Sequence, residues 1–352
     1  MSNLILPGLI DIHVHLRDPG QTNKEDFYTG SCAALAGGFT TILDMPNNKI
    51  PITTGQLLQE KIQIARKQTV CDIGFYFGSL GNNLDEFKLV NKKVFGIKLY
   101  LNLTTGGFII DKKILKIIYE GWVNNMPILV HSEEDVVNDV LAIVKKTGKK
   151  THFCHIASRY ELSRIIRAKE NGLPVTCGVT PHHLFLNENT IKTLGSYGMM
   201  KPALHRQSDI DYLWKNLKYI DVIESDHAPH TIAEKKLVNP PSGVTGLETT
   251  LPLLLNEVAN RRLTIEEIIR LCYSNPSRIF NIKTDKKTIV EVDLNEKYII
   301  KNKDLKIKCG WSPFNNWKVQ GKVKKVIYRG KKVFENNKIL IKPGSGRVIF
   351  SS

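Results

Sequence analysis

The sequence predicts an α/β fold: a closed (β/α)8 barrel of the TIM type carrying a small β appendage at its C-terminal end. Three observations predict it. Eight short β-branched or apolar runs recur along residues 4–226, and amphipathic stretches alternate with them. Such alternation makes a parallel sheet, because each crossover helix returns the chain to the same end. The first run then ends in His13-Val14-His15, with no glycine-rich turn. An open doubly wound sheet is the competing topology, and it would call for such a phosphate-binding turn.

The strand candidates are 4–12, 39–45, 72–78, 95–101, 127–131, 151–155, 175–179 and 220–226. Helical spacing marks 25–36, 54–67, 112–124, 133–146, 159–171 and 208–217. In the fourth crossover, Ile114, Leu115, Ile117 and Ile118 make one apolar face. Residues 246–260 and 265–272 read as helices, and 274–280 as a short helix closing the barrel. From Thr288 onward short strand-like pieces alternate with turns. The expected division is a barrel over 1–285 and a β-rich appendage over 286–352 packed on it.

Composition narrows the classes. No apolar run is long enough to cross a bilayer as a helix, and residues 1–6 lack the pattern of a secretory leader. Six scattered cysteines without a CxxC pair read as free thiols in a reducing compartment, so the cytoplasm is the expected location. Fifty basic against 34 acidic residues leave a net charge of +16. No dense basic block interleaved with aromatics accompanies it, so lysines on solvated helix faces are expected rather than a specific nucleic-acid surface.

The chemistry lies in where the polar residues fall. The first strand ends in His13 and His15, the fourth in Lys98, the fifth in His131, the sixth in His155 and the eighth in Asp226. In a parallel barrel these ends meet on one face, where active sites of such barrels lie. A single histidine at a strand end is more often a hydrogen-bonded core residue. Six polar residues at the same end are not explained that way. Imidazoles and a carboxylate suit Zn(II). His13 and His15, two apart on a strand, point the same way and can grip one ion. His131 and His155 can hold a second, giving a two-metal hydrolytic centre.

At this point the residues meet a family. His13-Val14-His15-Leu16-Arg17-Asp18-Pro19-Gly20, Thr180-Pro181-His182-His183 and Ser225-Asp226-His227-Ala228-Pro229-His230 resemble dihydroorotases of the amidohydrolase superfamily. Gly96-Ile97-Lys98-Leu99-Tyr100-Leu101-Asn102 and Gly246-Leu247-Glu248-Thr249 extend the resemblance, which includes the dihydroorotase domain of the animal multifunctional pyrimidine-synthesis polypeptide. It implies a metal-dependent barrel that reversibly closes N-carbamoyl-L-aspartate to L-dihydroorotate in pyrimidine (UMP) synthesis. It also implies two zinc ions, one on His13, His15 and Asp226 and one on His131 and His155. A CO2-derived carboxylate on Lys98 would bridge them. Asp226 would shuttle the proton. Arg17, Asn47 and His230 would hold the substrate, with Lys201, Thr104 and Ser242 at its rim.

The pattern departs at three positions. Gly178 stands where the animal domain has a glutamate linked to a third zinc. Lys201 replaces an arginine, keeping the charge and losing the planar fork. Thr105 replaces an aromatic in the loop over the substrate. None of these is one of the six expected ligands. His182 and His183 are expected beside the site; His152, His205 and His227 are expected to be structural or at the surface. Two other readings stay open: a related cyclic-amide hydrolase of the dihydropyrimidinase or allantoinase type, and a silent scaffold for aspartate transcarbamoylase. A homodimer and association with that transcarbamoylase also stay open.

Overall fold

The computed structural model describes residues 3–103 and 109–351. In chain order its strands are β1 (Asn3–Pro7), β2 (Leu9–Val14), β3 (Phe39–Asp44), β4 (Asp72–Phe75), β5 (Phe77–Gly78), β6 (Ile97–Tyr100), β7 (Ile128–His131) and β8 (Thr151–Phe153). There follow β9 (Val175–Val179), β10 (Val222–Ile223), β11 (Ile289–Ile299), β12 (Lys318–Tyr328), β13 (Lys331–Glu335), β14 (Lys338–Ile339) and β15 (Arg347–Val348).

β2, β3 and β4 pair in parallel, and β5 to β10 pair in parallel in chain order. β4 and β5 are halves of one strand parted at Tyr76. The Tyr76 N–H donates back to Asp44 O, while the Phe77 N–H donates forward to Gly96 O, each at 3.1 Å. Between last and first strand, Val14 bridges His227 in parallel, and the His15 N–H donates to His227 O at 2.8 Å. Eight parallel strands therefore close into a barrel, and an open doubly wound sheet is excluded.

Local signals set the crossovers. Asp26 caps Phe27–Ala36 and Ser158 caps Arg159–Glu170, each in a reciprocal box with the third helical residue. Val136–Thr147 buries Val136, Val137, Val140 and Val144 on one face and stops at Gly148, whose φ of 64° suits a residue without Cβ. A short helix at Glu86–Val90 was not among the sequence expectations. Five residues offer too little periodicity to be read.

The expected strand over 4–12 is two strands that belong to different sheets. Gly8 separates them, and a Cβ there would lie 2.2 Å from Thr40 Oγ1 and 2.6 Å from Thr288 Cγ2. β1 pairs antiparallel with β11 in a sheet of order β1-β11-β12-β13-β14. β15 in turn joins β4 in parallel, Arg347 opposite Asp72. The antiparallel sheet packs on the helix Thr250–Ala259, closely enough that a Cβ on Gly321 would sit 2.4 Å from Leu255 Cβ.

Lysines are not confined to solvated helix faces, as composition had suggested. Lys61, Lys98 and Lys235 are buried. Lys61 bonds Asp44 at 2.7 Å and donates to Met45 O and Asn48 Oδ1, both at 2.8 Å. Asp44 also accepts the Leu16 N–H at 2.7 Å, so this pair fixes the turn that leaves β2. Lys61→Met strands that carboxylate in the core. A loss of about 3–5 kcal/mol is expected, read from denaturant midpoints.

Candidate active site

The C-terminal ends of the barrel strands converge on one cavity. His13, His15, His131, His155 and Asp226 line it, together with Arg17, Asn47, Lys201 and Ser242. Lys98 lies buried among them on β6. His230 stands behind Arg17, its Nε2 3.2 Å from Arg17 Nη2. Thr104 and Thr105 lie outside the described residues.

His13, His15 and Asp226 offer ligand atoms that all fall within 4.8 Å of one another. Asp226 Oδ1 is 3.0 Å from His15 Nε2 and 3.3 Å from His13 Nε2. His15 Nδ1 is 2.6 Å from Asn47 Oδ1. An Nδ1–H donated to Asn47 leaves a lone pair on Nε2 facing a carboxylate oxygen. Two acceptors at hydrogen-bond distance call for a cation between them. Opposite, His131 Nδ1 lies 3.0 Å from His155 Nε2, and His131 Nε2 lies 2.8 Å from Glu133 Oε1.

Electrostatics agree with that donor set. Burial, then the nearby Lys98 charge, lowers His13 to about 4. Burial likewise lowers His15 and His131, and takes His155 well below its ordinary value. Burial would raise Asp226, but His13, His15 and His182 outweigh it and hold the carboxyl well below the usual range. Neutral imidazoles beside an ionised carboxylate are the protonation states a divalent metal binds.

Lys98 is the least satisfied member of this set. Its side chain is fully buried, and Nζ finds no hydrogen-bond partner among the described residues. The Tyr100 ring, 5.1 Å away, the Cys154 thiol and the imidazoles of His13, His131 and His155 surround it. A buried ammonium without partners is costly. A carboxylated amine between cations would remove that cost, so the residues fit the metal group.

The wall of the cavity beside these groups is cationic. Arg17 sits in a left-handed backbone turn, φ 63°, and its Nε donates to Pro229 O at 3.1 Å. Lys24 Nζ is 3.3 Å from His230 Nδ1 and 2.8 Å from Glu234. Burial, then Arg17 and Lys24, keeps His230 neutral by pushing its pKa far down. His230 Nε2 also lies 3.1 Å from Ser242 O, tying the rim of the cavity to Arg17. Lys201 is exposed at the mouth.

Several contributors were missed in the sequence. Glu133 sits on His131, and buried Lys235 donates to the carbonyls of Ser196 and Pro241, at 3.0 and 2.8 Å, fixing the loop that carries Ser242. Glu224 is fully buried beside His13 and His152, and with His13 and Cys154 it forms another group of potential ligands. The signal for it was readable: Glu224 is a charge inside an apolar run, two residues before Asp226. His152, placed by expectation in a structural role, also bonds Thr176 Oγ1 at 2.9 Å. His182 and His183 are buried, His183 between Thr180 and Pro202 O.

Barrel and site together define a class: residues 4–333 match the model of the amidohydrolase family, and the chain belongs to that family. Within it, the similar sequences include archaeal dihydroorotases and segments of larger multifunctional proteins. The chain is 36% identical to the dihydroorotase of Pyrococcus horikoshii, covering 99% of this chain and 85% of that one. It is 41% identical to a segment of multifunctional protein CAD from Squalus acanthias, covering 97% of this chain and 15% of that much longer protein. Among solved structures, an L-hydantoinase from Arthrobacter aurescens superposes with a TM-score of 0.93 at 24% identity, over 99% of this chain and 89% of that one. That likeness shows the fold alone.

Proposed function

We propose that the protein is a dihydroorotase acting on L-dihydroorotate and N-carbamoyl-L-aspartate in pyrimidine synthesis. The observation that carries the reading is Arg17. Its guanidinium is buried in the cavity wall beside the metal-type ligands, and its neighbours Pro229 O and His230 are uncharged. A buried guanidinium facing an open cavity suits a carboxylate held bidentately. Dihydrouracil and hydantoins carry no such group.

Two zinc ions, held by His13, His15 and Asp226 and by His131 and His155 with carboxylated Lys98 between them, would supply Lewis acidity and a lowered water pKa. The chain's own residues do the rest. Arg17, with His230 at its back, anchors the substrate carboxylate. Asn47 holds the His15 ring through Nδ1. In hydrolysis a water oxygen adds to the ring amide carbonyl and the C–N bond breaks. Asp226 takes the proton from that water and delivers it to the leaving nitrogen. Ring closure reverses each step. Lys201 and Ser242 border the rim, and Thr104 belongs to the same proposal.

Turnover of L-dihydroorotate by zinc-loaded protein, followed by absorbance with zinc counted on the same sample, tests the reading. Chelator-sensitive turnover with about two zincs per chain is expected. Zinc without turnover would favour another cyclic amide, and neither zinc nor turnover would favour a scaffold. Arg17→Lys is expected to lower kcat/KM for dihydroorotate by about 10- to 100-fold, because the fork is lost while the charge stays. An unchanged value would remove Arg17 as the anchor.

The same reading includes association with aspartate transcarbamoylase, supported by the likeness to a segment of a multifunctional protein. Co-sedimentation with that enzyme tests it, and sedimentation of the protein alone tests a homodimer. All six cysteines are free and buried, which supports a reducing compartment such as the cytoplasm. No helix among the described residues is long and apolar enough to cross a membrane.

A further inference from the structure

Glu224 has no part in the chemistry above, yet the barrel carries it at full burial. A desolvated carboxylate is costly unless its neighbours recover the loss. Its neighbours are the metal-type ligands themselves. Oε1 accepts the backbone N–H of His155 at 2.5 Å, and Oε2 faces His13 Nδ1 at 3.4 Å. The opposite edge of the same imidazole, Nε2, faces Asp226 at 3.3 Å.

The room for Glu224 comes from the strand beside it. Gly178 lies on β9, and a Cβ there would stand 2.5 Å from Glu224 Oε1 and 2.6 Å from its Cδ. The two positions draw on one volume, so a side chain at 178 would displace the Glu224 carboxylate from where it sits.

We propose that Glu224 is a positioning residue for the metal-binding face. It holds His13 in the tautomer with the proton on Nδ1, which leaves the Nε2 lone pair turned toward Asp226. It also pins His155 in a left-handed backbone conformation, φ 39°, that aims its ring at His131. Without an anchor on the amide such a conformation relaxes, since a residue with a Cβ disfavours it. The proposal rests on the two-metal reading above.

Three variants test it: Glu224→Gln, Glu224→Ala, and Glu224→Ala combined with Gly178→Glu. Each is titrated with zinc against a chromophoric chelator, then assayed with dihydroorotate, with thermal melting as the check on folding. Zinc affinity is expected to fall about 10- to 100-fold in the two single variants, with kcat falling and KM within about twofold. Glu224→Gln keeps the shape and folds, so it decides the matter if the alanine variant does not. The double variant returns a carboxylate to the same volume from the neighbouring strand and is expected to regain most of the affinity. Zinc affinity and kcat unchanged in Glu224→Gln would overturn the proposal. So would loss of one zinc equivalent at unchanged kcat, which would make Glu224 a ligand. A parent that binds zinc but leaves dihydroorotate untouched would defeat the functional reading instead, and the zinc titrations would still judge Glu224.

Discussion

Lys98→Met is expected to abolish turnover and, in the metal-free protein, to raise stability. The two effects share one cause. In the absence of metal the Lys98 amine is buried without a hydrogen-bond partner among the described residues. Desolvating such a group costs more than burying a thioether of nearly the same length. A gain on the order of 1–3 kcal/mol is expected in denaturant melts after exhaustive chelation. With the proposed two-zinc centre loaded the order would reverse, because methionine cannot take up CO2 and the proposed bridge could not form. Losing it removes several kcal/mol of charge stabilisation, a fall in kcat of about 10³-fold or more. A metal-free variant less stable than its parent would show that Lys98 has an ordinary packing role.

Asp226→Asn should cost nearly as much by a different route. Asparagine keeps the shape, and it tolerates the left-handed backbone that Asp226 adopts at φ 44°. It also keeps an oxygen toward His13 and His15, but it cannot receive a proton. A fall in kcat of about 10²–10⁴-fold is expected in both directions. Because the equilibrium between ring and open chain is a property of the reactants, kcat/KM must drop by one factor in hydrolysis and in closure. Zinc retention measured alongside separates proton transfer from metal loss. Rates near the parent's, with zinc bound, would assign the proton to another group.

The barrel was legible because its signals are local and repeated. Eight apolar runs, each flanked by capped or amphipathic helices, leave few topologies open. What stayed hidden depends on contacts distant in sequence. No local feature separates 4–12 into two strands; the cause is Gly8 pressed against Thr40 and Thr288, the latter 280 residues away. Candidate ligands were readable from strand-end position, since topology alone gathers them. Their supports were not. Asn47, expected on the substrate, lines the cavity and also sits against His15, a support the sequence did not show, and Glu133 and Lys235 act through contacts that only the folded chain creates. The buried lysines show the same limit: net charge says nothing about which cations are enclosed.

The pairing of β1 with β11 has a consequence for how the chain is made. Asn3 lies opposite Asp293 and Pro7 opposite Ile289, so the first strand has no partner until nearly 300 residues have been joined. At about 5–20 residues per second, that wait on a ribosome is roughly 15–60 s. Meanwhile, β2 to β10 can begin to pair with neighbours close in sequence. Asn3–Pro7, though made well before its partner strand, is therefore among the last of these segments to find its place, and its bare edge is open to wrong partners in the meantime.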